Sequence, residues 1–420
     1  MTPSTRTLAG WLELQQHAHP RSIDLGLARV GSVAHTLGIA RAQVPTFIVG
    51  GTNGKGSTVA LLEAMLRGAG HLTGAFSSPH LVRYNERIRV GGSEVSDGEI
   101  VEAFEAIERA RGETTLTYFE FSTLAALLVF RDRGVAARVL EVGLGGRLDA
   151  TNLADADVAV LCSVGADHHE WLGPTLEDIG REKAGIFRRG HPAVLGTPAL
   201  PASVFTEIER IGAVARLARR DFDWEIHGER WNWHSARRTL TDLPRPALAG
   251  ATQFANAATA IAALDASTLA VSREAVARGL EQVRLAGRFQ IVPGEIEWIL
   301  DVAHNAPAAA ELARELAARP IPGRTLAVAG FLDDKDVAAI GRVLHDQVDG
   351  WVLTTLPPPR GLDAGRVQER LGLGAAPLAT CGAVMQACAA ARALARPGDR
   401  IVVFGSFHVV GPALEWLQLY

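Results

Sequence analysis

Lys55 lies between Gly54 and Gly56, with Ser57 and Thr58 directly behind it, in the stretch FIVGGTNGKGSTVALLEAMLRGAG (47–70). An apolar strand that runs into glycines and then opens a helix leaves unpaired backbone N–H groups at the helix start. Together with the helix dipole, these groups make an anion site. Gly50, Gly51, Gly54 and Gly56 allow close backbone approach and positive φ. Lys55 can then reach the outer phosphates of a nucleotide, while a hydroxyl at Ser57 or Thr58 can face Mg²⁺ or a phosphate oxygen. The fit to G-x-x-x-x-G-K-[ST] is incomplete: Val49 holds the first glycine's place, and Gly56 separates the lysine from the hydroxyls. A strand–helix turn with a solvated lysine satisfies the same residues.

Three further clusters carry groups suited to phosphate and metal chemistry. FSSPHLVRYNERIRV (76–90) holds Ser77, Ser78, His80, Arg83 and Arg87. LEVGLGGRLDATN (140–152) puts Glu141 inside an apolar strand, followed by glycines, Arg147 and Asp149. GADHHEWLG (165–173) places Asp167, His168 and His169 just after another strand. Mg²⁺ prefers carboxylate, hydroxyl and water, so Ser78 with Glu141 suits one ion, and a neutral His168 can complete a second position. REKAGIFRRG (181–190) adds Lys183 near a helix end. Taken singly, each reads as an edge charge, a tight turn, a solvated loop or a surface lysine. Taken together, they mark one edge of a sheet, because all three clusters fall at the C-terminal ends of candidate parallel strands, where ligands settle in open α/β sheets.

The elements that must position them alternate along the chain. Strand patterns at 46–50, 72–76, 138–143, 157–163 and 192–195 are separated by amphipathic helical patterns at 57–68, 97–111, 120–134 and 202–214. Such alternation predicts right-handed crossovers and a mostly parallel sheet. The stretch 221–250 is polar and aromatic and predicts antiparallel strands or an excursion at the edge; 253–284 returns to a helical pattern. A second alternation begins near 296 and continues through 325–332, 350–356 and 400–407. The glycine and proline of RLAGRFQIVPGE (284–295) divide the two, giving an expected ATP-binding domain over 1–288 and a smaller Rossmann-like domain over 289–420.

Composition bounds the alternatives. At 420 residues, 48% hydrophobic and 21% charged, the chain reads as an ordinary globular protein of more than one domain. A formal charge of −4 provides no basic surplus for nucleic acid. Three scattered cysteines make neither a disulfide framework nor a zinc site. The N-terminus lacks a basic start followed by an apolar run, and no apolar stretch reaches about eighteen residues. The expectation is a cytoplasmic protein without a membrane span.

The ordered set GGTNGKGST, SSPHLVRYNERIRV, LEVGLGGRLDATN, DH before WLG, REKAGIF, GRFQIV, LDVAHN and GSFH resembles the bacterial folylpolyglutamate synthase/dihydrofolate synthase family. That family belongs to the Mur-ligase-like superfamily of ATP-dependent amide-forming ligases, and the resemblance runs from about 22 to 410. It implies that a pterin-linked carboxylate takes the γ-phosphate of ATP and that the amine of L-glutamate then displaces phosphate. The acceptors it implies are dihydropteroate and tetrahydrofolate.

Carried over by motif, the resemblance implies that Gly51, Thr52, Asn53, Gly54, Lys55, Gly56, Ser57 and Thr58 cradle the phosphates. Ser78 and Glu141 are then ligands of one Mg²⁺, and His168 of a second shared with Glu141. Lys183 matches a lysine that family members carry as a carbamate. Asn256, Arg288, Asp301 and His304 match positions that approach ATP, partly from the second domain. Thr117, Phe119 and Asp149, with Arg83, match the pterin side. The resemblance also favours a monomer. Departures are Gly50 before GTNGKG, Ala306 after AHN with Pro307 one place later, Ala166 before DH, and an extra His169. Two rival readings use many of the same residues: another Mur-type amide ligase, and a P-loop kinase or nucleotide switch.

Overall fold

Short aliphatic runs that bury both faces form the central strands of two largely parallel sheets. The computed structural model describes residues 6–39, 44–372 and 376–420. Its first sheet has eight strands: β1 (Thr46–Gly50), β2 (Thr73–Phe76), β3 (Ile88–Val90), β4 (Ser93–Glu94), β5 (Ala137–Glu141), β6 (Val158–Leu161), β7 (Pro192–Leu195) and β8 (Val214–Leu217). Their order is β4-β3-β2-β5-β1-β6-β7-β8. The run from β2 to β8 is parallel, and β3 and β4 close one edge as an antiparallel ribbon.

Register explains why distant motifs meet. Val49 pairs with Glu141, Gly50 with Leu161 and Phe76 with Leu140. The segments leaving β1, β2, β5 and β6 therefore emerge side by side at one edge. Helices cover both faces, and separate apolar clusters form on each side, one around Phe104, Phe121 and Phe130 and the other around Leu61, Met65 and Ile261.

The polar-aromatic stretch folds as a three-stranded antiparallel sheet of β9 (Phe222–His227), β10 (Arg230–Ser235) and β11 (Thr239–Pro244). Its fully buried tryptophans keep their indole N–H groups satisfied. Trp231 donates to the Pro244 carbonyl at 2.7 Å and Trp233 to the Ala258 carbonyl at 3.1 Å. The helical pattern after it splits into Thr252–Ala266 and Arg273–Gln282, because Ser272 accepts from the Ala275 amide and caps a new helix.

The second parallel unit has β12 (Gln290–Val292), β13 (Glu297–Leu300), β14 (Thr325–Ala329), β15 (Gly350–Thr354), β16 (Ala379–Cys381) and β17 (Arg400–Phe404), ordered β12-β13-β17-β14-β15-β16. Only β12 runs antiparallel. The displaced proline after AHN fits its helix, Ala306–Ala317: Asn305 caps the start by accepting from the Ala308 amide, and Pro307 sits in the first turn, where a missing N–H costs no bond.

Candidate active site

Gly54 opens the helix Lys55–Gly68 with φ of 88°, a left-handed conformation that glycine adopts without strain. A Cβ there would also crowd the side-chain oxygen of Asn256. No side chain caps this helix, so its first amides stay open toward the loop. The loop is laced to the turn after β6. The Thr52 amide donates to the Ser163 carbonyl at 2.9 Å, the Asn53 amide to Ser163 Oγ at 3.0 Å and Thr52 Oγ1 to the Gly165 carbonyl at 3.1 Å.

Two lysines converge on it. The Nζ of Lys55 donates to the carbonyls of Gly51 at 3.0 Å and Thr52 at 3.2 Å, and the Nζ of Lys183 donates to the same Gly51 carbonyl at 3.0 Å. Burial first, and then the charge of Lys55, pull Lys183 from its ordinary 10.5 down to about 7. Glu141, at the end of β5 and only 5% exposed, faces them. Its one hydrogen bond comes from the Ser78 amide at 3.2 Å. Burial raises its pKa, while Lys55 and Arg288 pull the other way. A carboxylate with lone pairs left free inside a cation-rich cavity, beside a serine, offers the hard oxygen donors that Mg²⁺ requires.

The second sheet supplies the opposite wall of one cavity of about 400 Å³. Arg288 lies over the Phe407 ring at 5.2 Å, and Asp301 and His304 face the same space. Asp301 also braces its own neighbourhood by accepting from the amides of Phe289 and Ala303, both at 2.7 Å. Asn256 donates to Gln253 and presents its oxygen to Gly54.

Two residues outside the expected site set join the walls. Asn305 donates to Asn53 of the glycine loop and to Asp167, both at 3.1 Å. Lys335, nearly buried, donates to Asp167 at 2.7 Å and pairs with Asp334 at 3.1 Å. Burial opposes it, but His304, His168 and Lys335 together hold the Asp167 carboxyl well below the usual carboxylate range. His168, Asp167 and Asp334 bring their ligand atoms within 4.8 Å of one another. The Lys335 ammonium already pairs with both acids of that trio. Burial holds His168 down at about 4, a neutral ring able to act as a ligand. The available signal for Lys335 was DDKD (333–336), just after β14 at the same sheet edge.

Gly51 through Ser57, Ser78, Glu141, His168, Lys183, Asn256, Arg288, Asp301 and His304 all line this cavity. Other expected residues stand elsewhere. Thr58 is fully buried and turns its hydroxyl back to the Gly54 carbonyl at 2.9 Å, leaving Ser57 as the hydroxyl at the loop. Arg83 is exposed and faces Glu94 and Asp97, so the structure does not bring it to the cavity. Thr117 caps the helix Tyr118–Asp132 by accepting from the Glu120 amide. Asp149 accepts from the Leu144 amide and from the amide and hydroxyl of Thr151, which organises the turn after β5. Phe119 packs against Gly143 of that turn, so tightly that a Cβ there would collide with its ring. Phe119 and Asp149 thus meet at one loop beside the cavity, while Thr117 and Asp149 already use much of their hydrogen-bonding capacity.

An open glycine cradle on one parallel sheet, facing a cationic and acidic wall from a second, is the architecture of a Mur-type ligase. Residues 49–196 match the Mur ligase middle domain, and residues 287–407 match the Mur ligase glutamate ligase domain. The dihydrofolate synthase/folylpolyglutamate synthase of Escherichia coli strain K12 is 46% identical over 97% of this chain and 95% of its own length. That of Haemophilus influenzae is 38% identical over 97% of each. The solved structure of E. coli FolC in complex with DHPP and ADP superposes with a TM-score of 0.94 at 44% identity, covering 100% of this chain and 99% of that one. A bifunctional folylpolyglutamate synthase/dihydrofolate synthase with Mn, AMPPNP and L-glutamate bound superposes at 0.92 with 43% identity over 100% of both chains. The chain belongs to the dihydrofolate synthase/folylpolyglutamate synthase family.

Proposed function

We infer that this chain is an ATP-dependent ligase that adds L-glutamate to dihydropteroate, giving dihydrofolate, and to tetrahydrofolate, giving folylpolyglutamates. The observation that carries this reading is the single cavity in which the glycine loop, Lys55, Glu141 and Lys183 face Arg288, Asp301 and His304. Among the described residues, no serine hydroxyl lining the cavity is hydrogen-bonded to a carboxylate or a histidine ring, so no activated serine is set up there. Positioning and charge neutralisation are what the residues offer, and phosphoryl transfer asks for those.

In the reaction, a carboxylate oxygen of the acceptor attacks the γ-phosphorus and ADP leaves. The neutral amine of glutamate then attacks the acyl carbon, phosphate leaves and a proton is lost. Amides 54–57 and Lys55 would hold the β- and γ-phosphates, with Arg288 against the same charge. Ser78 and Glu141 would hold Mg²⁺, and His168 a second ion. Bound there, the metal supplies Lewis-acid neutralisation of phosphate charge. Lys183 has the reactivity a carbamate needs, because an amine held near 7 is largely neutral at physiological pH. As a carbamate it would turn a cation beside Lys55 into an anion. Phe119, with Thr117 and Asp149, would form the pterin side.

The units 1–288 and 289–420 would close over the nucleotide, with Lys335, Asn305 and Asp167 as the contact between them. All of these groups come from one chain, in keeping with a monomer acting on small molecules in the cytoplasm. Among the described residues, no helix is long and apolar enough to cross a membrane.

The direct test is ATP consumption with Mg²⁺ and L-glutamate, comparing dihydropteroate, tetrahydrofolate and no acceptor. Turnover that depends on each acceptor supports both activities. Equal turnover without either would favour a nucleotide switch.

A further inference from the structure

Three arginines lie in the segment that follows β2, and two are matched by carboxylates. Arg83 faces Glu94 and Asp97, and Arg89 pairs with Glu63 at 2.9 Å. Arg87 has no such match. It is 8% exposed, yet among the described residues no ion pair includes it. Its one side-chain hydrogen bond runs from Nε to Nδ1 of His80 at 2.8 Å. The guanidinium lies over the rings of Tyr84 and Tyr118, at 5.5 and 5.3 Å. The adjacent acid, Glu86, commits its carboxylate to the amides of Leu81, Val82 and Arg83.

A buried cation without an anion is costly unless a ligand completes it. His80 offers no compensating anion, since its Nδ1 only accepts from Arg87 Nε and the ring brings no negative charge. Two aromatic rings and a neutral acceptor orient the guanidinium and, among the described residues, leave both terminal nitrogens without a protein partner. A planar carboxylate meets such a fork with two parallel hydrogen bonds.

The position narrows the ligand. Tyr118 immediately precedes Phe119 on the proposed pterin side. His80 follows Ser78 and Pro79, which line the cavity, and Ser78 bonds Glu141. Arg87 thus lies behind the cavity lining, tied through His80 to the segment of Ser78 and Pro79 and through Tyr118 to the helix that carries Phe119. Dihydropteroate carries a single carboxylate, the one that reacts. A glutamyl-extended acceptor such as tetrahydrofolate carries two, and its α-carboxylate takes no part in the reaction.

We propose that Arg87 binds the α-carboxylate of the glutamyl-extended acceptor and so serves the second activity more than the first. This rests on the two-acceptor reading above. Substituting Arg87→Gln should raise the ratio of the tetrahydrofolate KM to the dihydropteroate KM by about tenfold or more, the effect of a lost hydrogen bond to a charged group; Arg87→Lys should recover part of it. A second arm needs no variant to fold. The unaltered enzyme is offered tetrahydrofolate with its α-carboxylate replaced by a carboxamide, and its KM should rise by a similar factor. Arg87→Gln should no longer distinguish acid from amide. An unchanged KM ratio, or an unaltered enzyme indifferent to the amide, overturns the proposal. If the unaltered enzyme uses neither natural acceptor, the two-acceptor reading itself fails, and that result appears before any variant is made.

Discussion

The proposed nucleotide end and the proposed pterin end of the site are built on opposite plans. At the glycine loop, open amides and two lysine amines are held ready for a ligand, with Lys55 and Lys183 sharing one carbonyl. At the proposed pterin end, the polar groups are already engaged: Asp149 with Leu144 and Thr151, Thr117 with Glu120. Phe119 there is held by shape, against Gly143. One end stores unmet electrostatic demand; the other stores a rigid surface. Substitutions should accordingly act through charge at the first and through fit at the second.

The largest effect is expected where charge is removed. Lys55→Met should lower kcat by about 10²–10³-fold with both acceptors alike, checked by steady-state turnover. If the loss depended on the acceptor, the separation of the two ends would break.

Next comes the contact between the walls. Lys335→Met leaves Asp167 without its buried partner. It should raise the KM for ATP by roughly 30-fold, consistent with a cost of about 2 kcal/mol or more for such pairs, again independently of the acceptor. Small-angle scattering should show a more open molecule, a change that a purely local defect would not produce.

At the pterin end, Phe119→Ala should raise acceptor KM by about tenfold, the scale of an aromatic contact, and leave the KM for ATP unaltered. A matching rise for ATP would mean that Phe119 supports the fold and not the ligand.

The smallest effect is on stability. Lys183 is held at about 7 in the folded chain against 10.5 ordinarily, so the folded state binds fewer protons between those values and stability rises with pH across that window. Below about pH 7 the cost of the buried charge is complete. In CO₂-free buffer, Lys183→Met should raise unfolding stability by about 1 kcal/mol at neutral pH, once its lost hydrogen bond is offset. The gap should shrink toward pH 10, as followed by denaturant unfolding.

Legibility in the sequence followed the same division. The glycine loop was readable because its chemistry is local: strand, glycines and helix start within a dozen residues dictate where the amides point. Glu141 was readable as a charge inside an apolar strand. The Asp167–Lys335 pair was not, since its partners lie 168 residues apart and DDKD alone reads as a solvated turn. Asp149 was legible as an important acid, but its spacing to Thr151 could not say that the carboxylate is turned inward on its own loop. Ser57 and Thr58 were indistinguishable by type, and only the helix geometry separates the hydroxyl at the loop from the one bonded to Gly54. Arg83 matched a motif while its side chain answered to nearby surface acids.

The central claim is transfer of the γ-phosphate to the acceptor carboxylate before the amide forms. Dihydropteroate labelled with heavy oxygen in its carboxylate tests it directly, with the released phosphate analysed by mass spectrometry after turnover with ATP and L-glutamate. One labelled oxygen in each phosphate is the predicted result. Unlabelled phosphate, with its new oxygen drawn from water, would contradict the account and leave the cavity hydrolysing ATP without activating an acceptor.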